Sequence, residues 1–157
     1  MIFREATRQD LPAVLALLAD EDTVLDPASI VVGEAHERAF AAIGADPRNE
    51  MLVLTDGPSR TGEADEVVLG CLQLTYIPGL GRGGQERALV EAVRIRADRR
   101  GSGLGAELMR LATERARARG CGLVQLTSSK RRTVAHRFYE RLGFARSHEG
   151  FKLHLEP

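Results

Sequence analysis

One stretch constrains this chain more than any other: Arg87 to Gly120. Leu89, Ala92, Val93 and Ile95 make the apolar run of a strand over 87–96. Asp98-Arg99-Arg100 then breaks into a polar bend, and Gly101, Gly103 and Gly105 make a turn. Leu104, Leu108, Leu111, Ala112 and Ala116 follow at helical spacing, and Gly120 stops the helix. Gly122–Ser128 is apolar again, so a strand, a crossover helix and a second, parallel strand are expected. Strand, glycine turn and helix together make an anion site. Glycines let a ligand approach the backbone, and the first helical turn points unpaired N–H groups at it.

Three readings of the turn compete. The plainest is a tight β–α connection without a ligand. A second is a dinucleotide fingerprint, because Gly101-Ser102-Gly103-Leu104-Gly105-Ala106 fits G-x-G-x-x-A. That fingerprint wants an acid after the next strand, where this chain has Thr127-Ser128-Ser129-Lys130. A Walker loop is excluded, since no Gly-Lys-Ser/Thr follows. The third is a loop for the pyrophosphate of another cofactor, which the turn alone does not name.

Elsewhere the pattern predicts a strand at Ile2–Ala6 and a capping box at Thr7–Asp10 with Asp in place of Glu. A helix runs from there to about Ala19, and a second lies within Glu34–Ile43. Glu50–Thr55 and Val67–Tyr76, separated by the turn chemistry of 56–62, read as an antiparallel hairpin. Ile77–Gly84 holds four glycines and a proline and reads as a mobile loop. Thr133–Leu142 is a short helix closed by Gly143, and Ala145–Leu155 a last strand or hairpin. The order is β-α-α-β-β-β-α-β-α-β, an α/β fold. It implies a mixed, mostly antiparallel sheet with helices on both faces and one parallel β-α-β unit.

At 157 residues the chain reads as a single domain, 1–157. Its formal net charge is zero, with 22 basic and 22 acidic residues, so neither nucleic acid nor an anionic membrane is an expected partner. Cys71 and Cys121 lie in apolar runs without metal-ligand spacing and read as reduced thiols of a cytoplasmic protein; no metal is expected. No apolar stretch reaches the length of a membrane span, and the N-terminus does not resemble a signal peptide.

Arg100-x-x-Gly103-x-Gly105 resembles the Q/R-x-x-G-x-G/A signature of the GNAT superfamily of N-acetyltransferases. Thr133-Val134-Ala135-His136-Arg137-Phe138-Tyr139-Glu140-Arg141-Leu142-Gly143-Phe144 is similar to that family's A-x-x-F-Y-E-K-L-G-F segment, with Arg141 for lysine. The element order matches as well. The family often has asparagine seven positions before the tyrosine; here Arg132 stands there.

The resemblance implies acetyl-coenzyme A as co-substrate. Its phosphates would lie on Arg100, Gly101, Ser102, Gly103, Leu104 and Gly105, and its carbonyl and arm on the backbone of Val93, Arg94 and Ile95. Arg132 is a candidate phosphate contact, and a solvated basic loop is the equal alternative. Tyr139 would be the general acid toward the sulfur. Glu91 would be a base if buried, which raises a carboxyl pKa, with water as its rival. Strand parity places Glu91 with Val93 and Ile95 unless a bulge intervenes. His136, opposite Phe138 on its helix, is a lesser candidate and is expected to be exposed.

The acceptor implied is a primary amine on a small molecule, and a homodimer is compatible with the family. By the same resemblance, the acceptor cleft is bordered by the acidic segment holding Asp20, Glu21, Asp22 and Asp26, and by the glycine-rich Ile77–Gly84. Two alternatives stay open: acetylation of a protein or peptide amine, and a non-catalytic module that senses an acyl-coenzyme A. A dinucleotide-binding oxidoreductase is disfavoured by the missing acid and by the late position of the turn.

Overall fold

A computed structural model describes residues 1–19, 22–58 and 66–156. In chain order the elements are β1 (Ile2–Glu5), α1 (Leu11–Ala19), α2 (Glu34–Ala45), β2 (Asn49–Thr55), β3 (Val68–Ile77), β4 (Arg87–Ile95), α3 (Leu104–Arg119), β5 (Leu123–Leu126) and α4 (Thr133–Arg141). The strands form one sheet in the order β1-β2-β3-β4-β5. The first four pair antiparallel with their neighbours, and β5 runs parallel to β4. The chain divides into two compact units, Met1–Gln125 and Leu126–Pro157, described separately below.

In the first unit, residues of alternate parity serve the two sheet faces. Met51, Val53 and Cys71 pack with Val14 and Leu17 of α1 and with Phe40 and Ile43 of α2. The intervening positions, Leu52, Leu54, Leu72, Leu74, Ala88 and Val90, are fully buried. Leu108 of α3 reaches this second face at Gly70, and Met109, Ala112 and Ala116 are buried with it. Each such Leu removed from water contributes about 1.5–3 kcal/mol, so the apolar stripe of α3 holds the helix to the sheet.

A polar clamp fastens the far half of α3. Arg115 donates twice to Glu50, at 2.8 Å each, and the buried Tyr76 hydroxyl donates to the same carboxylate at 2.6 Å. The Arg119 guanidinium lies 4.0 Å above the Tyr76 ring and pairs with Glu86 at 2.6 Å. Burial would push Glu50 up, but the hydrogen bonds from Arg115 and Tyr76 outweigh it and hold its carboxyl below the usual range. At the other end of the sheet, Arg4 pairs with Asp10 at 2.7 Å and with Glu66 at 2.6 Å. Asp10 also accepts the Thr7 N–H at 2.7 Å, the reciprocal bond of the expected capping box.

The second unit contains α4 and the chain beyond it. Tyr139 packs edge-on against Phe138 and Phe144, with ring centroids 5.1 and 5.9 Å apart. Gly143 at φ 94° ends the helix, and the Phe144 N–H returns to the Tyr139 carbonyl at 3.1 Å. The strand expected at Ala145–Leu155 is not formed: residues 144–156 carry no regular secondary structure. The alternation there suits a strand, but a strand exists only with a ladder partner, and none of the described residues supplies one.

Candidate active site

β4 is not a regular strand. Gln73 faces Glu91, yet Cys71 faces Arg94, so Leu72 lies opposite both Ala92 and Val93. Ala92 takes φ 55°, the left-handed region that non-glycine residues rarely occupy. Such a conformation costs of order 1–3 kcal/mol and persists only where its surroundings enforce it. One restraint is visible: the buried Cys71 thiol donates to the Ala92 carbonyl at 3.6 Å. Burial pushes that thiol up to about 12, so it remains a donor at neutral pH. The bulge takes the backbone at Ala92–Val93 out of the regular ladder.

The bulge also reverses parity. Glu91 shares a face with Arg94 rather than with Ile95, which pairs with Gly70 on the α3 side. Glu91 is exposed, not buried as expected of the base. Gly70 is needed for that last rung. A Cβ there would lie 2.7 Å from the Ile95 δ-methyl and 2.9 Å from the Arg94 carbonyl oxygen.

Beyond Ile95 a short 3-10 turn, Ala97–Arg99, leads to the glycines. Gly101 and Gly103 take φ 75° and 84°, and Gly103 is the N-cap of α3. Open space surrounds both: an added Cβ would meet nothing within 4 Å. Gly105 is helical and stands in the first turn with Leu104, which is buried and anchors the helix start. The N–H groups of that turn have no intrahelical acceptor. Ser102 donates its hydroxyl to the Arg99 carbonyl and so braces the turn. Arg100 donates to the Ile95 carbonyl at 3.4 Å and pairs with Asp22 at 3.2 Å. The segment joining α1 and α2 therefore meets the glycine turn; Asp20 and Glu21 lie outside the described residues.

The glycine-rich loop does not join them. It precedes Arg87, and β4 spans nine residues, about 30 Å at roughly 3.3 Å each, before the glycine turn begins. Its neighbours are at the far end of α3: Gln85 fills the space over Gly122, and Glu86 pairs with Arg119. Leu80 at its tip is fully exposed. The expectation that this loop borders one cleft together with the acidic segment is corrected by strand direction.

In the second unit, Tyr139 is half-buried between its two aromatic neighbours. Arg132 is exposed at the N-cap of α4. His136 is half-buried rather than exposed, with Nε2 donating to the Ser129 carbonyl at 2.7 Å. A carbonyl only accepts, so Nε2 carries the proton and cannot serve as a base. Ser128 holds its hydroxyl oxygen out of solvent without a hydrogen-bond partner among the described residues. Leaving a buried hydroxyl unsatisfied costs about 1–3 kcal/mol, so this atom suits a ligand that supplies a partner.

A glycine turn opening a helix after a strand is the arrangement already matched in sequence, and the bulge is what the structure adds. A model of the Acetyltransferase (GNAT) family matches residues 13–144. The chain belongs to that family. Among solved structures, this GNAT chain is similar to one described as a transcriptional regulator from Bacillus halodurans C-125. The two share 39% identity over 98% of this chain and 99% of that one, with a TM-score of 0.82. A putative acetyltransferase from Agrobacterium tumefaciens str. C58 is 29% identical over 99% and 100%, with a TM-score of 0.78. Glucosamine-6-phosphate N-acetyltransferase from Arabidopsis thaliana, 19% identical over 99% and 98% with a TM-score of 0.71, shares the fold. No curated protein matches.

Sequence reasoning missed Ala92 and Ser128. The first had a signal. Ala88 and Val90 are even-numbered and Ile95 is odd, so placing all three on one face demands an extra residue between them. Nothing in the sequence marked the Ser128 hydroxyl, because its burial without a partner is a tertiary property.

Proposed function

We propose that this GNAT chain transfers an acetyl group from acetyl-coenzyme A to a primary amine of a small molecule. The observation that carries the reading is the turn at Gly101 and Gly103, left-handed at both glycines and open above, at the N-terminus of α3. Its first-turn N–H groups and the Arg100 guanidinium fit a pyrophosphate. The thioester, when bound, supplies an activated acetyl carbon. In this reading a backbone N–H at the Ala92–Val93 bulge donates to the acetyl oxygen. The amine attacks, its C–N bond forms, and the C–S bond breaks. Tyr139 Oη gives its proton to the sulfur, and water takes the proton from the amine, since Glu91 is exposed. Arg132 is the outer phosphate contact.

The acidic segment suits a cationic acceptor, because Asp22 stands beside Arg100 at the glycine turn. A second reading, a sensor that binds an acyl-coenzyme A without turnover, is favoured by the description of the 39% identical relative as a transcriptional regulator. Thiol release from acetyl-coenzyme A decides between them, measured across a panel of amino acids, polyamines, aminoglycosides and peptides. Amine-dependent release supports transfer. Tight binding without release for any amine supports the sensor, and no binding refutes both.

A further inference from the structure

Side chains hold the backbone of the β4 bulge. Ala92 and Val93 share Leu72 as the one residue opposite, because the register passes from Gln73–Glu91 directly to Cys71–Arg94. The Cys71 thiol donates to the Ala92 carbonyl at 3.6 Å, and Arg94 Nη1 donates to the next carbonyl, that of Val93, at 2.9 Å. Packing fixes the thiol in its turn: Cys71 is 0% exposed and lies in the cluster with Val14 and Leu17 of α1. A thiol is a weak donor in water, but burial strengthens its bond and keeps its proton in place at neutral pH.

A carbonyl and the N–H that follows it belong to one planar trans unit and point to opposite sides. The Ala92 oxygen is turned toward Cys71 on β3, so the Val93 N–H is turned away from β3. Relaxing Ala92 from φ 55° would rotate that carbonyl off the sulfur. Strain favours the rotation, and the thiol opposes it.

We infer that Cys71 is a positioning residue, whose thiol holds the Ala92–Val93 peptide so that the Val93 N–H faces the acetyl oxygen. A carbonyl turned to that place would repel the negative charge that develops there. The kinetic consequence rests on the acetyl-transfer reading; the orientation of the peptide does not.

Three variants of the full chain test it. Cys71→Ser keeps a donor, whereas Cys71→Ala and Cys71→Val remove it, one with less volume and one with more. At saturating substrates the Ala and Val variants should lose at least about 10-fold in kcat, part of the roughly 100- to 1000-fold that an oxyanion donor is worth. Acetyl-coenzyme A affinity by calorimetry should hardly change, because the interaction forms in the transition state. Cys71→Ser should retain most of the turnover, whatever its Tm. A packing role alone would make kcat follow Tm. In the ligand-free chain, the Ala92 carbonyl-carbon and Val93 amide resonances should move together in Cys71→Ala and Cys71→Val, and little in Cys71→Ser. In the unmodified chain, bound acetyl-coenzyme A should shift the Val93 amide, a readout that needs no variant. Unmoved resonances in the Ala and Val variants would overturn the inference. So would turnover ranked by Tm rather than by donor, or a Val93 amide indifferent to bound acetyl-coenzyme A. If the unmodified chain releases no thiol with any amine, the acetyl-transfer reading fails, and the ligand-free resonances alone decide how the peptide is held.

Discussion

Gly70→Ala is the sharpest test of how the sheet is fitted to α3. The added methyl would lie 2.7 Å from the Ile95 δ-methyl and 2.9 Å from the Arg94 carbonyl oxygen, where carbon pairs prefer about 3.5–4.0 Å. The side chain can rotate away. The carbonyl cannot, because it lies in the strand, and the Arg96 N–H just beyond is held by the Leu69 carbonyl at 2.8 Å. Overpacking costs about 1–3 kcal/mol, and a backbone partner puts this site in the upper half. The stiffer unfolded chain returns about 0.4–1 kcal/mol, leaving a net loss of about 1–2.6 kcal/mol. For a chain of this length that lowers Tm by about 2–10 °C. Ile95→Val alone should cost about 0.5–1.5 kcal/mol. Because it deletes the colliding methyl, the double variant should be about 1 kcal/mol less destabilised than the sum. Calorimetric melting of the four proteins checks this. A Gly70→Ala protein as stable as the parent, or strict additivity, would refute the packing argument.

Gly103→Val forces a β-branched residue into φ 84°, so acetyl-coenzyme A affinity measured by calorimetry should fall while the protein stays folded. Unchanged affinity would remove the phosphate cradle. Tyr139→Phe should lower turnover about 100-fold at saturating substrates with little change in acetyl-coenzyme A binding; wild-type turnover would leave Tyr139 only its aromatic packing. Tyr76→Phe should cost about 1–2 kcal/mol near neutral pH by removing a donor to Glu50. Glu50 has a lowered folded pKa, so its stabilisation is present above the ordinary value of 4.5 and lost as pH falls below it. The urea midpoints of Tyr76→Phe and the parent should therefore converge as pH falls below 4.5, and a constant gap would rule out the linkage. Asp22→Asn should raise KM for a cationic acceptor and flatten its salt dependence; an unaltered KM would place Asp22 outside the acceptor's reach.

The sequence by itself determined the elements and the family. Period and punctuation located the strands and helices through Arg141 to within a few residues, because each rests on local side-chain spacing and on capping glycines such as Gly120 and Gly143. The glycine turn was legible for the same reason. The tertiary structure decided what depends on pairing. The bulge at Ala92 comes from register against Leu72, and it moved Glu91 away from Ile95's face. Strand direction separated the glycine-rich loop from the phosphate turn and brought Asp22 to Arg100 instead. The pattern at 145–155 is that of a strand, but a strand is a relation between two segments, and a period of two says nothing about which chain supplies the second.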